Sequence, residues 1–442
     1  MLRHPTSLPN LTWLAAPLLV FAAVFAALTA GNPSAATQDV GATASDASRP
    51  LPAPGDTRAA LDRLRDAVRA EADPRAYAAL GDAYYQRVRQ TGNSRLYDRA
   101  DQAYEAALAS DADNVTALSG LATISLARHQ FADGLVLARR AHRAEPSLVA
   151  PYAALVDALI ENGRYARAAR KLERMLRLKP TLAAYSRVSY YRELHGDLRG
   201  AARALAAAVS AGSGTIEGSA YIRSLSADLA ATRGRYGAAE RGYRAALAVD
   251  PEYGRAIIGL ALLQAGRGEL VPAIATLREQ LSDPPSPDEL VQLGELEQAA
   301  GRLAAARRHY AQASELEREG LKEGSGYDAG VTLNEAEHGD PTVAVGYGRR
   351  AWRSAPSVSS ADAYSWALYR AGRIEAATRL SAEAMRLGSR DPEFLYHAGM
   401  IAKVAGDEEG ATRHLSTLLE QSPRFNPLYA PRATRALKRP SG

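Results

Sequence analysis

The sequence contains no cysteine among its 442 residues. Disulfides, thiolate zinc sites, iron–sulfur clusters, cysteine nucleophiles and a lipid-bearing cysteine are therefore excluded. Phe is also scarce, with 5 residues against 21 Tyr, and Val and Ile are sparse outside a few runs. Ala and Arg are abundant instead, and both lose little side-chain freedom on entering a helix. The composition favours a helical fold, and the missing cysteines suit an oxidising compartment.

Motifs that would carry catalysis are missing as well. The sequence has no phosphate-binding G-x-x-x-x-G-K-[ST], no G-x-S-x-G and no H-E-x-x-H. Its eight His are scattered, with no pair at i and i+4. His338 lies beside Glu337 and Asp340, but its place before Gly339 indicates a surface turn residue. We therefore expect no enzyme activity, no metal and no cofactor.

The net charge of +5 is small for this length, and no block is basic enough to predict nucleic-acid binding. The nearest candidate is the C-terminal group of Arg432, Arg435, Lys438 and Arg439. We interpret residues 426–442 as a solvated basic tail.

Residues 11–30 form an uncharged apolar run that follows Arg3 and His4. About 20 such residues can span a bilayer as a helix, so the run can be a membrane anchor. Its positive-then-apolar layout and the small residues 34–36 also fit a cleaved signal peptide. Both readings place the rest of the chain outside the cytoplasm, with membrane contact if the run is uncleaved. Residues 31–56, rich in Gly, Pro, Ala and Ser, predict a disordered linker.

The rest of the chain repeats a pattern with a period near 34 residues. Each unit carries a Gly, an Ala five residues later and often a Pro twelve beyond that Ala. The clearest cases are Gly163, Ala168 and Pro180; Gly234, Ala239 and Pro251; and Gly406, Ala411 and Pro423, with Gly372 as a related case. The Gly predicts the end of a first helix in a left-handed conformation. The Ala predicts close packing of a second helix, and the Pro marks the crossing to the next unit.

The first helices share a second pattern, seen at Tyr77, Leu80, Gly81 and Tyr84 and again at Gly294. Together the two patterns resemble the tetratricopeptide repeat from residue 57 to 425. The resemblance implies an all-α, right-handed α-α superhelix of about ten helical hairpins with a cap helix at 57–72. Stretches such as 187–197 and 366–373 are similar to exported tetratricopeptide proteins of actinobacteria. Extra residues near 212–214 and 320–326 are interpreted as neutral loop variation.

The family implies that first helices line a concave groove, which gives candidate binding residues. In the first half these are Asp157, Tyr190, Glu193 and Asp228, and near the C-terminus they are Trp366, Tyr369, Arg370, Tyr396, Met400 and Lys403. Aromatic residues and Arg are common interface anchors, and such a pocket suits an extended peptide or a C-terminal carboxylate. Packing of Trp366 and Tyr369 between repeats is the competing interpretation.

These observations predict a non-catalytic scaffold of the bacterial cell envelope that binds a peptide or protein partner. An accessory subunit of a membrane enzyme or assembly system, of the cytochrome or envelope-glycan biogenesis type, is the alternative. An enzyme carrying appended repeats is disfavoured because the repeats consume nearly all of the chain.

Overall fold

The structure is a computed structural model that describes residues 57–91, 95–282 and 284–438. The predicted signal or anchor segment at 1–30 and the linker at 31–56 lie outside these residues. Within the described part every regular element is a helix. No helix there has the length and apolar character needed to cross a membrane.

A single helix, α1 (Thr57–Ala70), precedes ten helical hairpins, as the repeat pattern predicts. We number the hairpins 1–10 and call the two helices of each A and B. Hairpins 1–5 are α2 (Pro74–Thr91) with α3 (Arg95–Ser110), α4 (Val115–Ala127) with α5 (Phe131–Ala144), α6 (Ala150–Glu161) with α7 (Tyr165–Leu178), α8 (Leu182–Leu194) with α9 (Leu198–Ala211), and α10 (Ile216–Thr232) with α11 (Tyr236–Leu247).

Hairpins 6–10 follow without a break in the pattern. They are α12 (Gly254–Gly266) with α13 (Leu270–Glu279), α14 (Pro287–Ala299) with α15 (Leu303–Lys322), α16 (Ala329–His338) with α17 (Pro341–Ser354), α18 (Val358–Arg370) with α19 (Ile374–Ala384), and α20 (Pro392–Val404) with α21 (Glu408–Gln421). A 3₁₀ turn (Met385–Leu387) follows α19, and α22 (Ala430–Lys438) ends the described chain.

Short polar residues and glycines set the helix ends. Side chains such as Asn114 and Asp407 accept backbone N–H bonds at helix starts, which satisfies donors that the helix leaves open. The turn glycines Gly163, Gly234 and Gly372 have φ of 66°, 67° and 74°, a conformation that is costly for residues with a Cβ. The predicted role of these glycines is confirmed.

Close contact within hairpins depends on small residues. A Cβ placed on Gly81 would lie 2.5 Å from the ring of Tyr104, and one on Gly294 would lie 2.5 Å from the ring of Tyr310. Each Gly therefore gives a B-helix tyrosine room to pack flat on the A helix. The predicted small contacts Ala168, Ala239 and Ala411 are buried, and Pro180, Pro251 and Pro423 lie in the connections between helices.

The superhelix is wound tightly enough that its second turn packs on its first. The turn of hairpin 3 contacts the loop before hairpin 9: the Val358 N–H donates to the Tyr165 hydroxyl at 2.8 Å, across 193 residues. The turn of hairpin 5 contacts the loop after hairpin 10, where Gln421 Nε2 donates to the Thr232 carbonyl at 3.0 Å across 189 residues. We call this line of contacts the seam. The turn of hairpin 3 thus meets the loop in front of the sixth hairpin beyond it, and the turn of hairpin 5 meets the chain that leads from hairpin 10 to α22.

The loop at 320–326, interpreted from sequence as neutral variation, forms the first contact of the seam. The Gly326 N–H donates to the Arg128 carbonyl at 2.8 Å, and Gln130 Nε2 donates to the Gly324 carbonyl at 2.8 Å. His129, which stands where other hairpins have the turn glycine, has φ of 59°. Its Nδ1 lies 2.9 Å from Asp328 Oδ2. The extra residues therefore join the two turns, and the contact with Asp328 offsets the backbone strain at His129.

Apolar packing backs the polar contacts of the seam. One hydrophobic cluster contains Phe131, Tyr165 and Tyr190 from the first turn together with Val358 and Phe394 from the second. All five are at most 5% exposed. Residues about 190 positions apart thus share one core, and the array is a closed superhelix.

Candidate functional site

The inner surface of the superhelix is the face on which the groove was predicted. Asp157, predicted as a groove residue, instead forms a buried ion pair with Arg187 of the next hairpin. Arg187 Nη2 lies 2.6 Å from Asp157 Oδ2 and Nε lies 2.9 Å from Oδ1, and Arg187 is only 1% exposed. The two guanidinium nitrogens of Arg187 donate in parallel to the two carboxylate oxygens of Asp157, an arrangement that fits the geometry of both groups. Asp157 therefore joins hairpins 3 and 4.

Asp228 has the same joining role between hairpins 5 and 6. It accepts the Tyr243 hydroxyl at 2.6 Å and the Arg255 guanidinium at 2.6 Å. Tyr190 is 5% exposed, and its hydroxyl donates to Glu161 Oε1 at 3.2 Å. These predicted groove residues are structural, because their polar atoms already hold neighbouring hairpins together.

The predicted aromatic anchor near the C-terminus is also buried. Trp366 is 2% exposed, and its ring stacks on Tyr369 at 4.7 Å and on His397 at 4.2 Å. Its Nε1–H donates to Glu337 Oε1 at 2.9 Å, while Arg370 Nη1 lies 2.5 Å from Glu337 Oε2. The competing interpretation of Trp366 and Tyr369, packing between repeats, describes this arrangement.

The last part of the predicted groove is covered by the chain itself. Tyr396 is 2% exposed and lies 5.3 Å from the ring of Tyr429 and 6.1 Å from that of Phe425. Met400 packs in the same cluster, and Lys403 Nζ bonds Glu408 at 2.8 Å. Residues interpreted as a solvated tail therefore form a packed end, since α22 buries Ala430 and Ala433.

Trp366→Ala is expected to act on stability rather than on a binding surface. Removal of a fully buried Trp leaves a cavity and costs about 3–5 kcal/mol of unfolding free energy. Chemical denaturation of the full chain measures this loss. Trp352→Ala is the matched control, because Trp352 is only half-buried on α17 and its removal should cost clearly less. Equal losses for the two variants would contradict the packing role of Trp366.

His338 is held by packing, so the prediction of a surface turn residue is wrong. Its ring stacks on Tyr310 at 3.5 Å, and burial lowers the pKa of His338 to about 4. Throughout the described ranges no group of three His, Asp or Glu side chains has a metal-binding arrangement.

A run of partly buried carboxylates lies on the inner face. Burial, helped by the charge on Asp391, raises the pKa of Glu193 to about 7 and that of Glu393 to about 8. Glu193 accepts the Ser189 hydroxyl at 2.7 Å. Glu295 is the fourth member of the run, and its charge also raises the pKa of Glu393. We call Glu193, Glu295, Asp391 and Glu393 the inner carboxylates.

Sequence reasoning found only part of this set. Glu193 and Glu295 lie at inner positions of A helices and follow from the repeat. Asp391 and Glu393 stand at the start of α20, where Asp391 accepts the backbone N–H of Glu393 at 2.8 Å as a helix cap. The sequence of a helix start does not indicate that it faces hairpin 4 across the seam. Asp391 and Glu393 were therefore not predicted.

The geometry defines an α-solenoid of stacked helical hairpins. Residues 225–287 match the family model described as tetratricopeptide repeat, and the same hairpin geometry continues through all ten units. The matched segment falls in hairpins 5 and 6 and reaches the start of hairpin 7, and the described residues fold as a tetratricopeptide-like solenoid. Arrays of this class generally act as scaffolds that bind protein partners through their extended surfaces.

Several solved structures are similar to the chain at low sequence identity, with TM-scores below 0.5. The human IFIT1 dimer with m7Gppp-AAAA is 16% identical, with a TM-score of 0.48 over 75% of this chain and 77% of that one. A chain of the APC/C hetero-tetramer Cut9-Hcn1 is 16% identical, with a TM-score of 0.39 over 86% of this chain and 66% of that one. A tetratricopeptide repeat protein from Parabacteroides merdae is 17% identical, with a TM-score of 0.40 over 61% and 97%. A search of curated protein sequences finds no match.

Proposed function

We propose that the protein is a non-catalytic interaction scaffold of the bacterial cell envelope, and that its inner face binds a basic segment of a partner protein. The observation that carries this proposal is the set of inner carboxylates. They gather on one face from hairpins 4, 7 and 10, and each is only partly buried. The groove aromatics, by contrast, are covered by the chain itself.

Glu295 accepts hydrogen bonds from Asn426 and Tyr429, but Glu193 and Glu393 have less compensation. Within the described ranges, Glu193 and Glu393 form no ion pair with a Lys or Arg, whereas Asp157, Asp228 and Asp362 each have a cationic or imidazole partner at 2.6–2.8 Å. Like charges held close together disfavour ionisation. A Lys or Arg side chain from a partner would relieve this repulsion, and opposite charge on the partner gives specificity and a faster association.

Location in the envelope rests on the apolar run at residues 11–30. Fractionation of cells, with the mass of the mature chain, tests this part of the proposal. We expect the chain in the membrane if the run is kept and outside the cytoplasmic membrane if it is removed. An unprocessed chain in the cytosol would overturn it.

Binding of a basic peptide should depend on pH and on two of the inner carboxylates. An oligolysine peptide is the probe, and its affinity for the full chain is measured by fluorescence anisotropy. Because the raised pKa values mean that Glu193 and Glu393 become charged only near or above neutral pH, affinity should rise between about pH 6 and about pH 9. Glu193→Gln with Glu393→Gln should reduce affinity about tenfold at the upper pH.

The matched control makes the same change of charge on the outer surface, with Glu105→Gln and Glu315→Gln, both exposed. This control should bind as the wild type does. Equal affinity of the two double variants, or an affinity that falls as pH rises, would contradict the proposal that the inner carboxylates bind a basic segment.

A further inference from the structure

The outer surface of hairpins 2 and 3 carries an unusual concentration of arginines. On α7 the core side is formed by Tyr165, Ala168, Leu172 and Met175. The opposite side exposes Arg167, Arg170 and Arg174, with Arg164 just before the helix. These residues recur at the spacing of one helical face. Arg139 and Arg143 of the neighbouring helix α5 extend the set, and we call these six the outer basic face.

The two helices bring these charges close together. Burial lowers the pKa of Arg139, and the charges on Arg167, Arg164 and Arg143 lower it further. Arg139 belongs to hairpin 2 and Arg167 to hairpin 3, so the repulsion acts between hairpins. Cations that repel one another in this way are an unfavourable arrangement for the isolated chain.

Several exposed arginines elsewhere in the protein are paired. Arg128 bonds Asp98 at 2.8 Å, Arg244 bonds Glu240 at 2.7 Å, and Arg413 bonds Glu409 at 3.2 Å. On α7 itself, Arg177 bonds Glu173 at 2.6 Å. Among the residues that the structure describes, Arg167, Arg170 and Arg174 form no such pair. The outer basic face therefore brings together several arginines whose charge no ion pair neutralises.

We propose that the outer basic face docks on an anionic phospholipid surface. Its charges lie along a helix of 14 residues, a length of about 20 Å, and spread sideways onto α5. A broad and flat array suits a bilayer with many equivalent phosphate groups better than one acidic segment. Val136, 57% exposed on α5, shares a face with Arg139 and Arg143 and adds an apolar group that can enter the headgroup layer.

This inference is separate from the binding of a partner on the inner face. The outer basic face and the inner carboxylates lie on opposite sides of the hairpins, so either can fail without the other. The two sites together would hold the array on a membrane with its inner face free. Long-range attraction to the bilayer is screened over about 8–10 Å in physiological salt, which makes docking dependent on ionic strength.

The absence of cysteine allows a single reporter on the outer basic face. A fluorophore on Ala166→Cys, an exposed position of α7, is measured in the full chain reconstituted with vesicles that carry a headgroup-attached quencher. We expect strong quenching in vesicles of phosphatidylglycerol with phosphatidylcholine. Quenching should be weak in phosphatidylcholine alone and should fall when salt is added. A fluorophore on Thr378→Cys, exposed on α19 in hairpin 9, should remain unquenched in both.

Charge reversal then tests the arginines themselves. Arg167→Glu, Arg170→Glu and Arg174→Glu together should weaken the lipid-dependent quenching at least about tenfold. The control Arg307→Glu, Arg308→Glu and Arg349→Glu makes the same change at exposed positions elsewhere and should leave it intact. Equal quenching in both lipid mixtures, or equal loss in both triple variants, would overturn the proposal. If the face ignores vesicles but binds soluble polyglutamate, it is a protein-docking face and the lipid assignment is wrong.

Discussion

Gly163→Ala is expected to separate the two turns of the superhelix and to lower the free energy of unfolding by about 3 kcal/mol. An L-residue at φ of 66° costs about 1–2 kcal/mol by itself. The added Cβ would also stand 2.1 Å from the carbonyl oxygen of Pro356, in the loop before hairpin 9. The new Cβ and the Pro356 carbonyl are both fixed to the backbone, so neither can rotate aside and the loop must move away. The neighbouring hydrogen bond between Val358 and Tyr165 weakens as a result. Denaturant unfolding measures the stability, and small-angle scattering measures the expected increase in radius of gyration.

Gly372→Ala is the matched control for this variant. Gly372 ends the A helix of hairpin 9 with φ of 74°, and nothing lies within 4 Å of its added Cβ. This variant has the conformational cost alone, about 1–2 kcal/mol, and should keep the size of the wild type. If the two variants lose equal stability and neither expands, the contact between the turns does not hold the array closed.

Arg187→Leu is expected to cost about 3–5 kcal/mol of unfolding free energy, because it leaves Asp157 buried without its partner. Arg187 also donates from Nη1 to the Ala183 carbonyl at 3.1 Å, so a backbone acceptor loses a donor as well. Thermal and denaturant unfolding of the full chain measure the loss.

Two further variants separate the buried charge from the lost side chain. Arg187→Leu with Asp157→Leu removes both charges, and stability should recover in part, since an apolar pair of similar volume has no charge to desolvate. Arg177→Leu breaks an exposed pair with Glu173, in which the side chains are 56% and 67% exposed, and should cost only about 0.5 kcal/mol. A loss at Arg187 as small as that at Arg177 would contradict the joining role of the buried pair.

The seam changes how this repeat array can bind. An open solenoid presents its inner face to a partner and can flex between repeats, whereas here hairpins 2–5 are fixed to the loops of the second turn. The inner aromatics are used for packing, and the inner carboxylates keep some contact with solvent. Any partner of the inner face must therefore fit a nearly rigid surface, which favours recognition by charge and by preformed shape.

The sequence by itself determines the helices, their pairing and the number of hairpins. Gly163, Ala168 and their equivalents act within about 34 residues, so periodicity suffices to predict each unit. The closing of the superhelix was decided only by the tertiary structure. The meeting of Tyr165 with Val358 depends on small rotations summed over several hairpins, and no local pattern records that sum. The groove shows a related limit: its residues follow from the repeat, but the contacts that bury them, such as Trp366 with His397 and Tyr396 with Tyr429, are made with neighbouring elements and not within one unit.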